Sequence, residues 1–165
     1  MKMANVMTLF DYNYWATARL LKATMNVSPE QFIATPQGYT TSLRATLVHI
    51  LSAERLWRIR WETDVSPAPL QAEDFLSPAI LQQHWQAEEQ AMRAYLATLD
   101  DDMLDNPVQF RRLSGQISDA FTRWHLLMQL MTHGTHHRSE AAALLTTYDQ
   151  SPGDLDFLFF VLDQH

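Results

Sequence analysis

Four long stretches in which apolar side chains recur every three or four residues, with proline-bearing connections between them, constrain this chain more than any other feature. That spacing places the apolar groups on one side of a helix. Val6, Leu9, Phe10, Asn13, Ala16, Leu20 and Leu21 predict a first helix of about five turns. "SPEQFIATPQGYTTS" interrupts it with Pro29, Pro36 and Gly38. Ser42 is a fitting N-cap for a second helix carrying Leu43, Leu47, Ile50, Trp57 and Trp61. The acidic connection "TDVSPAPLQAEDFLSPA" ends in Ser77-Pro78, a cap and first-turn pair for a third helix reaching Leu99. Two short extended pieces are expected between Val108 and Ile117, around Ser114-Gly115. A fourth helix is expected from Ser118, with Leu126, Leu127, Leu130, Ala141, Leu144 and Leu145 on its apolar side. A short terminal helix follows "DQSPGD". The expectation is an all-α four-helix bundle in one domain spanning residues 1–165. The long connections suit crossovers or pocket-forming loops.

Charge and composition narrow the functional classes. Nineteen acidic residues against twelve basic ones give a formal charge of −7. That balance disfavours nucleic acid and anionic lipid as partners. The chain has no cysteine, which excludes disulfide scaffolds, zinc knuckles and cysteine nucleophiles. Any thiol chemistry must therefore use a thiol from outside. The opening segment meets polar residues too early for a secretory apolar region, and "FLFFVL" is too short to span a bilayer. A cytoplasmic location is expected.

The chemistry-bearing stretch is "MTHGTHHRSEA", Met131 to Ala141. His133 and His137 are four apart and share a helix face. Their line reads Leu126, Leu130, His133, His137, Ala141, Leu144, so the pair is expected to interrupt the core-facing stripe. Two adjacent buried imidazoles need partners for four ring nitrogens, and a divalent ion supplies one to each ring. The competing reading is hydrogen-bonded core or solvated surface, since two ligands do not make a site. Gly134 stands where a zincin keeps its glutamate, which argues against a protease. A glycine inside a helix costs about 1 kcal/mol relative to alanine. Space beside a metal or close helix packing would each explain it. His136 lies off the pair's face and suits a supporting or surface role. A third ligand must come from elsewhere: His49, His84 and His125 all sit in helices, whereas His165 is expected to be solvated. His49 lies on the flank of its helix's apolar stripe, beside Ala45, Ala53 and Leu56.

"LFDYNYWATARLL", "TLVHILSAERLWRIR", "LMTHGTHHRSEAAALL" and "SPGDLDFLFF", in that order, resemble the DinB/YfiT-like metal-dependent family, which is unrelated to the polymerase sharing the DinB name. The resemblance implies an up-down-down-up bundle, a homodimer, and a divalent metal held by His49, His133 and His137. Zinc or nickel is the implied metal, with iron a further candidate. It also implies a thiol-dependent S-transferase that presents a low-molecular-weight thiol, as cosubstrate, to a small electrophile. The alternative is a non-catalytic stress-response protein with a structural or sensing metal. Arg138 matches a family arginine of unsettled role. Ser139 and Glu140 replace the glycine and glutamine common there, and Glu140 is expected to face solvent. Arg55, Arg58 and Arg60 either hold carboxylates of a peptide-like thiol or, the preferred reading, form a solvated face beside Glu54 and Glu62. Trp15, Trp57 and Trp61 are expected in the core, with Trp57 or Trp61 as pocket lining.

Overall fold

A computed structural model describes residues 1–164, so His165 lies outside the described residues. Six helices account for most of it: α1 (Met3–Thr24), α2 (Pro29–Ile33), α3 (Leu43–Thr63), α4 (Pro78–Leu96), α5 (Arg123–Thr147) and α6 (Phe157–Asp163). The sequence signals act where their chemistry requires. Ser42 Oγ accepts from the Ala45 amide at 3.1 Å, and Ser77 Oγ from that of Ile80 at 3.4 Å. Each satisfies an amide that has no partner inside its helix. Ser28 caps α2, a single turn inside the segment that reads from sequence only as a break.

Two apolar clusters reveal the helix directions. One joins Leu20 and Leu21 late in α1 with Leu43 and Leu47 early in α3, Leu81 and Trp85 early in α4, and Leu144 and Leu145 late in α5. The other joins Val6 and Phe10 early in α1 with Trp61 late in α3, Met92 and Leu96 late in α4, and Leu126 and Leu130 early in α5. Hence α1 and α5 run one way and α3 and α4 the other, the up-down-down-up order. Neighbouring pairs are α1 with α5, α5 with α3, α3 with α4, and α4 with α1. α1 and α3 therefore face each other across the bundle axis.

Three expected boundaries shift. α4 ends at Leu96 because the amides of Thr98 and Leu99 tighten onto the carbonyls three residues back, those of Tyr95 and Leu96. α5 starts at Arg123 rather than Ser118, because Ser118 and Phe121–Thr122 are taken up by a ribbon. There β1 (Pro107–Val108) pairs antiparallel with β2 (Phe121–Thr122). Arg111 bridges Ile117, and the Phe110 amide donates to Ser118 Oγ. The turn between them places Gly115 at φ +84°, a left-handed geometry that favours glycine. The extended pieces expected on either side of Ser114-Gly115 are thus present, with their ladder extending past the expected limits. No helix among the described residues is long and apolar enough to cross a membrane.

Candidate metal centre

α3 and α5 run antiparallel, and their contact brings His49 against His133 and His137. His49 Nε2 stands 3.1 Å from His133 Nε2. The His137 ring centroid is 4.5 Å from each of the other two. One ligand nitrogen from each ring falls within 4.8 Å of the others. A tetrahedral ion with N-ligands at about 2.0–2.1 Å sets its donors roughly 3.3 Å apart. The His49–His133 pair already meets that spacing, so the donor set fits a divalent ion. Two lone pairs this close repel unless a proton or a cation lies between them.

The electrostatics favour the neutral, ligating form of His133 and His49. Burial lowers the His133 pKa to about 4, and the neighbouring His137, His49 and His136 push the same way. His49 is lowered by burial and then by His137. His137 Nδ1 lies 2.6 Å from a Glu140 carboxylate oxygen, one turn along α5. That leaves the His137 Nε2 lone pair free to ligate, since a carboxylate on one imidazole nitrogen selects the tautomer that offers the other. Glu140 was expected to face solvent. Its bond to His137 overrides that and holds its carboxyl below the usual range. His136, 71% exposed, adds a 3.2 Å contact to the same carboxylate. His133 Nδ1 is buried without a hydrogen-bond partner among the described residues.

The triad does not interrupt the core. His133 and His137 are half-buried and His49 is exposed, so the three line a surface groove between α3 and α5. Gly134 and Arg138 occupy the core-facing line, between Met131 and Ala141. Arg138, only 2% exposed, donates through Nη1 to Asn13 Oδ1 and through Nη2 to Thr135 Oγ1 at 2.9 Å. Asn13 Nδ2 then donates to Glu54 at 3.2 Å, and the Tyr14 hydroxyl donates to the other Glu54 oxygen at 2.7 Å. This network crosses the bundle axis between the two apolar clusters. Burial pushes the Glu54 carboxyl up to about 7, against the pull of Tyr14, Asn13 and Arg138. A Cβ on Gly134 would stand 2.8 Å from Arg138 Nη1 and 3.3 Å from Asn13 Oδ1. The glycine is therefore explained by the guanidinium beside it, not by space for a metal.

The remaining candidates lie elsewhere. His84 is exposed and meets the edge of Phe75, while His125 is exposed against Trp124. The solvated-face reading of the α3 basic residues also needs correction. Arg58, with 14% of its side chain exposed, forms a two-pronged pair with Glu88 at 2.5 and 2.8 Å, and Glu54 is buried. Trp61 is buried, whereas Trp15 and Trp57 are only partly covered. Nothing local marked the Arg138 network except Asn13, a polar residue on the apolar stripe of α1.

Fold and site together define a helical bundle with three histidines from two helices converging in one groove. The chain belongs to the DinB family, whose model matches residues 1–162. No curated protein matches the chain.

Proposed function

We propose that the protein holds one divalent metal ion through His49, His133 and His137 and acts there on small molecules, joining an external low-molecular-weight thiol through its sulfur to a small electrophile, the thiol giving up its proton and the electrophile its leaving group. The observation that carries the metal reading is the convergence of three imidazoles, two of them with Nε2 atoms 3.1 Å apart. Three imidazole ligands suit zinc, nickel and iron alike. When bound, such an ion supplies Lewis acidity, lowering the pKa of a thiol or water and polarising a substrate oxygen.

The chain's own residues prepare the place. Glu140 orients the His137 ring, and burial keeps His133 neutral. Arg138 and Asn13 brace α5 against α1 directly behind the pair. With no cysteine in the chain, the reacting sulfur comes from the cosubstrate. The exposure of His49 supports an open catalytic site over a purely structural ion, which protein ligands would enclose.

Elemental analysis of tag-free protein tests the reading. The expected result is one equivalent of metal per chain, lost in both H49A and H137A while their helical content is retained. A wild-type chain that takes up neither zinc, nickel nor iron at micromolar concentration would overturn it. The thiol step is tested by loss of free thiol on mixing the loaded protein with a thiol and an alkylating electrophile, compared with H133A.

We also propose that two copies pair through α6. Leu158 and Leu162 leave 64% and 59% of their surface uncovered, and Phe157 and Phe159 are exposed beside them.

A further inference from the structure

A second feature of the α3–α5 groove lies beyond the histidines. On α3, His49, Ala53 and Trp57 succeed one another by one turn each. On α5, His133, Gln129 and His125 do the same in the opposite direction. Two turns from the triad along the same two helices, about 12 Å at 1.5 Å per residue, lies a cleft of about 560 Å³. Its walls are Trp57 and Arg60 from α3, Phe110 and Arg112 from the ribbon, and His125 and Gln129 from α5. That volume falls in the range of small-molecule sites, roughly 300–1,000 Å³.

Two arginines without a carboxylate partner, a condition several other surface cations share, here line one aromatic-walled cavity together. Arg19, Arg58 and Arg93 are all in ion pairs with carboxylates. Arg60 and Arg112 have none among the described residues, although the chain carries a formal charge of −7. Arg60 is also held in place. Its Nε donates to Ser66 Oγ at 2.8 Å, and its guanidinium carbon lies 4.2 Å from the Phe110 ring centre and 4.9 Å from that of Trp57. Its two terminal nitrogens make no hydrogen bond among the described residues. Burial and the nearby Arg112 both lower the Arg60 pKa, the signature of a cation set beside a like charge without its counter-ion. A planar fork of free N–H donors matches a carboxylate, and the aromatic walls accept a flat hydrocarbon body.

We propose that this cleft binds a flat, aromatic or conjugated carboxylic acid, with Arg60 and Arg112 on the carboxylate and Trp57 and Phe110 against its body. The acid's far end points along the groove towards His133. Only that orientation relies on the metal reading; the anion site stands on its own residues. The site gives the protein a preference for acidic over neutral small molecules.

Calorimetric titration of the full chain, in the presence of a chelator, tests this with 2-naphthoate and its neutral isostere 2-naphthamide. The expected result is binding of naphthoate at least ten-fold tighter than naphthamide. R112Q should weaken naphthoate at least ten-fold and leave naphthamide unchanged. Arg112 is exposed and makes no side-chain hydrogen bond among the described residues, so that variant should fold even if R60Q does not. Equal binding of acid and amide, no binding of either, or an unaltered naphthoate affinity in R112Q would each overturn the proposal. Displacement of naphthoate by equimolar inorganic phosphate would also overturn it, by assigning the site to phosphate. Because the chelator removes metal from the experiment, failure here leaves the triad untouched, and an absence of metal by elemental analysis leaves this site untouched.

Discussion

His137 Nδ1 and a carboxylate oxygen of Glu140 stand 2.6 Å apart on consecutive turns of α5, a contact that orients the imidazole towards the groove. Removing a carboxylate that orients a ligating histidine costs about 10–100-fold in metal affinity. E140A should therefore bind zinc about 10–100-fold more weakly, as read by competition with a chromophoric chelator. Thermal unfolding of the metal-free protein should change little, because the Glu140 side chain is 42% exposed. An unaltered zinc affinity would show that the carboxylate has no part in the site.

Gly134→Ala sets helix propensity against packing. Alanine gains about 1 kcal/mol in a helix interior. The new Cβ would meet Arg138 Nη1 at 2.8 Å, and that buried guanidinium could withdraw only by giving up its hydrogen bonds to Asn13 and Thr135. Overpacking of this kind costs about 1–3 kcal/mol. The variant should unfold at lower urea concentration than wild type. A higher midpoint would mean that Arg138 moves aside freely.

Glu54 gives a pH dependence with a definite sign. Its folded pKa is raised to about 7 from an ordinary 4.5, so between these values the native state holds more protons than the unfolded one. Stability contributed by the neutral carboxyl is present at low pH and is lost as pH rises towards the folded pKa. Tyr14 and Asn13 of α1, Arg138 of α5 and Glu88 of α4 are the groups acting on it. Glu54→Gln cannot titrate. Measured by urea unfolding of metal-free protein, its stability relative to wild type should improve between pH 5 and pH 8, by at most about 3 kcal/mol. The amide nitrogen that replaces one oxygen accepting from Tyr14 or Asn13 shifts the whole curve down without changing that slope. A difference that stays flat or falls with pH would show that Glu54 is ionised throughout.

The α6 pairing predicts that L158D/L162D is a monomer in sedimentation velocity at a concentration where wild type is a dimer. Both side chains face outward, so their replacement should leave the fold of one copy intact. A wild-type chain that sediments as a monomer at 100-fold higher loading would end this reading.

Much of the architecture was legible because helices are encoded by near neighbours. The periodic apolar stripes, the caps at Ser42 and Ser77 and the proline-bearing breaks each act within a few residues, and they determined how many long helices form and nearly where they begin. The spacing of His133 and His137 likewise guaranteed a common face before any tertiary contact. The ribbon was only half visible: its turn at Ser114-Gly115 is local, but the pairing of Phe121–Thr122 with Pro107–Val108 is not, and it delayed the start of α5 by five residues.

Only the tertiary structure decided what each side chain meets. His49 lies on the flank of its own apolar stripe, and the register of α3 against α5, not any feature of α3 alone, sets its Nε2 beside that of His133. The same packing turned the histidine pair outward and put Gly134 and Arg138 inward, reversing the assignment that the stripe suggested. It also gave Arg58 a carboxylate partner in Glu88 and left Arg60 and Arg112 without one among the described residues. Rotation and register of packed helices follow from the summed fit of whole faces, a quantity spread over dozens of side chains and therefore absent from any single motif.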